Sequence, residues 1–165
     1  LYNKPYFKRL VEGSILRGGP AAVIFSDIDN FKRLNDTQGH QTGDVILKVV
    51  ADILKDVVGS HGVCGRYGGE EMVALITDPH CDPGLIAEKF RFRVEEETKL
   101  IYPVTVSVGY SRLRDDELSA DEFIKQSDEA MYFSKQNGKN RVTNYAVTLV
   151  EDDDIESNPD SFVFD

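Results

Sequence analysis

Ala21-Ala-Val-Ile-Phe25-Ser-Asp27-Ile-Asp29 decides the fold class of this chain. Ala21 to Phe25 is apolar without alternation, the pattern of a strand covered on both faces. The run then ends in two acids, Asp27 and Asp29. A strand of this kind needs helices on either side of its sheet, and the flanking sequence supplies them.

Further strands follow at intervals. Val63 to Tyr67 and Glu70 to Ile76 read as a pair separated by Gly68-Gly69, a two-residue hairpin signal. Tyr102 to Leu113 alternates through Val104, Val106, Val108 and Tyr110, and Arg141 to Val150 reads as a last strand. Between them lie helical patterns. Asn3 caps a first helix that tolerates Pro5, buries Phe7, Leu10, Val11, Ser14 and Ile15, and ends at Gly18-Gly19-Pro20. Phe31 to Asn35 forms a short helical segment, followed by a turn from Gly39 to Gly43. Asp44 opens a strong helix with Ile46, Leu47, Val50, Ile53, Leu54 and Val57 on one face.

Asp82-Pro83 starts another helix, running to about Leu100, with Leu85, Ile86, Phe90 and Val94 inward. Ser119-Ala-Asp-Glu122 is a capping box before the helix of Phe123, Ile124, Ser127, Ala130, Met131 and Ser134, which Asn137-Gly138 stops. The order αβααββαβαβ, built around one antiparallel hairpin, predicts an α/β (α+β) domain: a mixed central sheet with flanking helices. No internal repeat is present.

At 165 residues one core is expected. Hydrophobic content of 41% and charged content of 29% are those of a globular protein. No apolar run is long enough to cross a bilayer. The net charge of −10 is uneven: residues 145–165 hold seven acids and no Lys or Arg, which leaves only −3 on residues 1–144. The predicted division is therefore a domain over 1–144, then the end of the last strand and an acidic mobile tail over 145–165. A mildly acidic domain excludes a broad nucleic-acid surface and implies no direct membrane contact. Cys64 and Cys81 form neither a disulfide framework nor, with His40, His61 and His80, a zinc pattern; reduced thiols in a cytoplasmic protein are expected.

The chemistry concentrates at Asp27, Asp29, Glu70 and Glu71. Carboxylates at the end of a buried strand are costly unless partnered, and Mg²⁺ partners carboxylates together with substrate phosphates. On the acids alone, a metal pair and solvated strand ends both stand open. Gly68-Gly69 is equally two-sided, being a good turn or a bare backbone for a ligand to touch. Gly138-Lys139 lacks the rest of a phosphate-binding P-loop.

Taken jointly the motifs are specific. Phe25-Ser-Asp27-Ile-Asp-Asn-Phe-Lys32-Arg-Leu-Asn35-Asp-Thr-Gln-Gly39-His40-Gln-Thr-Gly43-Asp44 and Arg66-Tyr-Gly68-Gly69-Glu70-Glu71-Met72 resemble the GGDEF family of diguanylate cyclases. So do Ser107-Val-Gly109-Tyr and Ala130-Met-Tyr-Phe-Ser-Lys135-Gln-Asn-Gly138-Lys139-Asn140-Arg141. The likeness runs from Leu1 to about Val142. It implies a ferredoxin-like palm resembling class III nucleotidyl cyclases. It also implies Mg²⁺-dependent (alternatively Mn²⁺-dependent) condensation of two GTP into cyclic di-GMP across an antiparallel homodimer.

By matching position the resemblance assigns metal binding to Asp27, Glu70 and the Ile28 carbonyl. It assigns help in deprotonating the ribose 3′-hydroxyl to Glu71, and guanine reading to Asn35 and Asp44. Asp44 reads equally as a helix cap. Lys32, Lys135 and Lys139 match triphosphate contacts, with Lys32 counted among the catalytic group, and Gly68 and Gly69 would lie against the nucleotide.

Three departures stand out. Met72 replaces the usual Phe, a change of packing. Gly59-Ser60-His61-Gly62 replaces the Arg-x-x-Asp product-inhibition motif, so that site is expected to be missing. The chain opens partway through the family's N-terminal motif, so it reads as an excised domain with an upstream sensory or receiver domain. Two rivals remain at this point: a GGDEF-like module that binds GTP or cyclic di-GMP and regulates a partner without turnover, and a plain dimerisation domain.

Overall fold

The computed structural model describes residues 1–114 and 118–149. In chain order the elements are β1 (Tyr2–Asn3), α1 (Lys4–Arg17), β2 (Ala22–Ile28), α2 (Phe31–Gln38), α3 (His40–Val58) and a 3₁₀ turn (Gly59–His61). There follow β3 (Gly62–Arg66), β4 (Glu71–Ile76), α4 (Pro83–Glu97), β5 (Val106–Arg112), α5 (Ala120–Gln136) and β6 (Arg141–Asn144). The strands make one sheet in the order β1-β3-β4-β2-β5-β6. β2 runs antiparallel to both neighbours, β4 and β5, while the outer pairs β1–β3 and β5–β6 are parallel. The mixed sheet with helices on both faces is as predicted.

Strand alternation divides the core in two. Ala22, Ile24 and Ile28 of β2, with Met72, Ala74 and Ile76 of β4, face α3 and α4. Val23 and Phe25, with Val73 and Leu75, face α1 and α5. Phe7, Phe25, Phe90 and Phe123 are fully buried, each burial contributing about 1.5–3 kcal/mol. Asp27, two residues beyond Phe25, shares the face of α5, which brings that helix to the acids. Gly109 makes the approach possible: a Cβ there would lie 2.1 Å from the backbone nitrogen of Met131.

Three capping signals operate as read. Asn3 accepts from the Tyr6 amide at 3.0 Å, Asp82 from the Gly84 amide at 2.8 Å, and Ser119 and Glu122 form a reciprocal box.

Several boundaries differ from expectation. α3 begins at His40, so the Gly39–Gly43 stretch is its first turn and Asp44 lies inside the helix rather than capping it; the break falls at Gly39, whose φ is 86°. α4 stops at Glu97, where the Thr98 hydroxyl donates to the Val94 carbonyl at 2.6 Å and accepts from the Val104 amide at 3.1 Å. That turn holds Leu100 outside the helix and delays β5 to Val106. Leu85, expected inward, is 70% exposed. β6 ends at Asn144, whose side chain accepts from the Ala146 amide at 3.1 Å and starts a helical turn over 145–149. β1 was not anticipated, two residues being too short for a sequence pattern. The acidic tail beyond residue 149 lies outside the described residues.

Cys64 is buried, and burial pushes its thiol up to about 11; Cys81 is half-buried, and both are free. Among the described residues no helix is long and apolar enough to cross a membrane.

Candidate functional site

β2 delivers Asp27 to the edge of the sheet directly opposite Glu71 of β4. Like charges in cross-strand register repel, so this pairing works against stability. Glu70 sits in the turn that precedes β4, not in the strand. Arg66 pairs with Met72, and the Tyr67 amide donates to the Glu71 carbonyl at 2.9 Å, which leaves Gly68, Gly69 and Glu70 as a three-residue turn. Neither glycine takes a positive φ, so the two-residue hairpin anticipated from Gly-Gly does not form. A Cβ on Gly69 would meet nothing within 4 Å, whereas one on Gly68 would lie 3.1 Å from the Glu71 carboxylate. Arg66 holds this turn, its guanidinium donating to the carbonyls of Gly68 at 3.2 Å and Gly69 at 2.6 Å. No sequence signal pointed to that clamp.

The acids share one electrostatic condition. Burial raises the pKa of Asp27, a shift that Lys135 partly offsets. Burial first and Asp27 second raise those of Glu70 and Glu71. Asp128 of α5 joins them, raised by burial and then by Asp27. Asp128 escaped the sequence reading, although its position seven residues before Lys135 places both on one stripe of a helix.

Lys135 is the cation at the centre of the group. Its Nζ lies 3.0 Å from Asp27 Oδ1 and 3.1 Å from Asp29 Oδ1, and donates to the Ile28 carbonyl at 3.3 Å. The Asp27 contact has ion-pair distance without hydrogen-bond direction, so Asp27 Oδ1 is a buried acceptor that makes no hydrogen bond.

Asp29 behaves differently. It is 4% exposed and accepts from the Thr105 and Ser107 hydroxyls, each at 2.6 Å, and from the Asn140 amide at 3.1 Å. A carboxylate satisfied this way is a structural tie between β2, β5 and the loop after α5. It is not a free ligand.

Asp27, Glu70 and the Ile28 carbonyl offer oxygen donors only, with Lys135 the cation now beside Asp27 and Ile28, and oxygen donors of this kind fit a hard divalent cation such as Mg²⁺. Among the described residues no three His, Cys, Asp or Glu side chains converge into a complete metal cage. Mg²⁺ sites seldom need one, because one or two carboxylates suffice when phosphates complete the coordination.

Asn35 of α2 lies against Gly43, the residue before Asp44 in α3. A Cβ on Gly43 would lie 1.9 Å from Asn35 Oδ1, so the carboxamide rests on the helix surface that Gly43 leaves open. Exposed Asp44 borders a cavity of about 510 Å³ lined also by Leu47, Lys48, Arg66 and Met72. Met72 itself is 2% exposed and fills core space, as expected. Lys139 donates to the Asn30 side chain at 2.8 Å, at the mouth of the site. Lys32 is exposed on the first turn of α2 and has no partner among the described residues. Where the Arg-x-x-Asp motif would fall, His61 Nδ1 is held 2.6 Å from Asp78 and no guanidinium is present in the Gly59–Gly62 turn.

The sequence model of the family described as "Diguanylate cyclase, GGDEF domain" matches residues 1–141. Diguanylate cyclase A of Treponema denticola is 39% identical over 128 residues, covering 74% of this chain and 34% of its own. Diguanylate cyclase DosC of Escherichia coli is 35% identical over 150 residues, covering 87% of this chain and 32% of its own. The chain thus spans about a third of the length of these curated relatives. Among solved structures, the active GGEEF domain of a diguanylate cyclase from Vibrio cholerae superposes with a TM-score of 0.81 at 31% identity, covering 88% of this chain and 97% of that one. The GGDEF domain of DgcB from Caulobacter crescentus, in complex with c-di-GMP, gives 0.80 at 30% identity, covering 88% and 92%. The palm-like mixed sheet is common to all three.

Proposed function

Because this chain belongs to the GGDEF family of diguanylate cyclase domains, we propose that it condenses two GTP into cyclic di-GMP with release of pyrophosphate. Each subunit binds one GTP, and two subunits meet antiparallel so that each ribose 3′-oxygen attacks the other nucleotide's α-phosphorus. Asp27, Glu70 and the Ile28 carbonyl would hold Mg²⁺, which when bound supplies charge to the phosphates and the attacking oxygen. Glu71, next to Glu70 and opposite Asp27, takes the 3′-hydroxyl proton, and its pKa, raised by burial and then by Asp27, favours proton uptake. Lys135, with Lys139 and Lys32 further out, offsets triphosphate charge. Asn35 and Asp44 read guanine, because a carboxylate accepts from N1–H and N2–H₂ together, a pair adenine does not offer.

The observation that carries this reading is the Asp27–Glu71 register, two acids set opposite each other with Lys135 3.0 Å from Asp27. Nothing in the packing needs two acids there. Asp27→Asn and Glu70→Gln should each abolish turnover while far-UV circular dichroism and the melting transition stay native. Near-wild-type activity in either variant removes the metal assignment. Product should bind at the same half-site, competing with GTP, since the Gly59–Gly62 turn offers no bidentate phosphate grip.

A further inference from the structure

α4 packs Ile86, Ala87, Phe90 and Val94 into the core, and its opposite face carries a second apolar pattern that the proposed activity does not use. Leu85 is 70% exposed and Phe92 55%, and Leu100, just past the helix end, is 97% exposed. Leu85, Lys89, Phe92 and Glu96 follow at i, i+4, i+7 and i+11, so they form one stripe along the outer face. The rows beside the stripe are closed by ion pairs within the chain. Arg91 is held by Glu88 and Glu95, at 2.5 and 2.9 Å, and Arg93 is held by Glu97, at 2.6 Å, and by Asp56 of α3. Lys89 has no acidic partner among the described residues, and Glu96 has only the exposed Lys99, at 2.6 Å.

The stripe is a palindrome in chemistry. Lys89 and Glu96 lie equally far on either side of a point between residues 92 and 93. A two-fold axis through that point sets Lys89 of one copy against Glu96 of the other, twice. It also stacks the two Phe92 rings at the centre. Such self-complementarity is what an isologous contact requires.

We infer that the outer face of α4 is a homotypic docking surface, on which a second copy of this chain pairs antiparallel through Leu85, Lys89, Phe92 and Glu96. The surface is separate from the Asp27–Glu70 site and needs no nucleotide. One helix face is smaller than a standard interface, so the association is weak, with a dissociation constant on the order of 100 μM.

The test is sedimentation equilibrium of the nucleotide-free chain up to about 1 mM. A reversible monomer–dimer equilibrium is expected. Phe92→Glu, which sets like charges on the axis, should abolish it. Lys89→Glu and Glu96→Lys should each weaken it roughly tenfold or more, since each reversal acts twice. The double variant Lys89→Glu/Glu96→Lys should restore it to within about threefold, a recovery that only a two-fold pairing of these residues gives. All three substitutions are at exposed positions, and circular dichroism checks the fold. Asp27→Asn should leave the equilibrium unchanged, which separates this surface from the catalytic pairing. A monomer throughout, a dimer indifferent to Phe92→Glu, or a double variant as weak as the singles overturns the proposal. The first of these outcomes would assign the face to a different partner.

Discussion

Replacing Gly43 by alanine should separate the site from the fold, because guanine binding responds to it and overall stability barely does. Gly43 lies in the first turn of α3, and exchanging Gly for Ala within a helix stabilises by about 1 kcal/mol. The added Cβ would meet Asn35 Oδ1 at 1.9 Å, Asn35 Cγ at 3.1 Å and Phe31 Cζ at 3.3 Å. The first distance is untenable. It involves the end of a partly exposed side chain, so the carboxamide swings away at about 0.5–1.5 kcal/mol of rotamer cost. Net stability therefore changes by less than about 1 kcal/mol. Guanine recognition loses the Asn35 hydrogen bonds, worth about 1–3 kcal/mol where a buried polar partner is left unpaired. That corresponds to a roughly 5- to 150-fold weaker affinity for GTP. Isothermal titration with GTP and with ATP, beside a thermal melt, measures both effects: GTP affinity should fall, ATP affinity should hold, and the melting temperature should barely move. Unchanged GTP affinity in a folded Gly43→Ala protein would refute the placement of Asn35 against the base.

Two other perturbations follow from the same geometry. Gly109→Ala places a Cβ 2.1 Å from the Met131 nitrogen and 2.5 Å from the Ser127 carbonyl oxygen, all backbone, so α5 must lift from β5. A loss of about 3 kcal/mol and a melting point lower by about 6–12 °C should appear in calorimetry, and a native melting point would mean that the contact relaxes freely. For pH, Asp27, Glu70, Glu71 and Asp128 all have folded pKa values above their ordinary ones. The folded state binds their protons more tightly, so their contribution is fully present below the ordinary carboxylate range and is lost as pH rises through the raised values. Metal-free protein should therefore lose stability as pH rises out of the ordinary carboxylate range, about pH 4, and through the raised values. The increase in melting temperature on adding Mg²⁺ should grow over that same interval, because the metal takes the deprotonated acids. A Mg²⁺ effect that is flat with pH would contradict the acid cluster as its site.

What could be read in the sequence was mostly local. Asn3, Asp82 and Ser119 each bond an amide two or three residues away, so their caps are written in adjacent letters. The unbroken run Ala21–Phe25 announces a strand at the centre of the sheet. Gly43 misled because a glycine in a helix normally marks its boundary, whereas this one makes room for Asn35 from another helix. Gly68-Gly69 misled similarly: the turn extends to Glu70 because Arg66 pairs with Met72 and Arg66 also clamps the glycine carbonyls. For the site, the family resemblance singled out Asp27, Glu70, Glu71 and Lys135, and the fold brings Lys135 to 3.0 Å from Asp27. Register decided which acid faces which, and it set Glu71 opposite Asp27. Register and burial likewise made Asp29 a structural tie through Thr105, Ser107 and Asn140, contacts that span 76 residues or more. Asp128 needed the docking of α5 against β2 to become visible.

The central claim is turnover, and it is tested most directly by product analysis of a constitutively dimerised form of this chain. Incubated with GTP and Mg²⁺ and followed by liquid chromatography with mass detection, it should yield cyclic di-GMP with two pyrophosphates for each product formed. GTP that binds and persists unchanged in a verified antiparallel dimer would contradict the account and leave the domain a binding module.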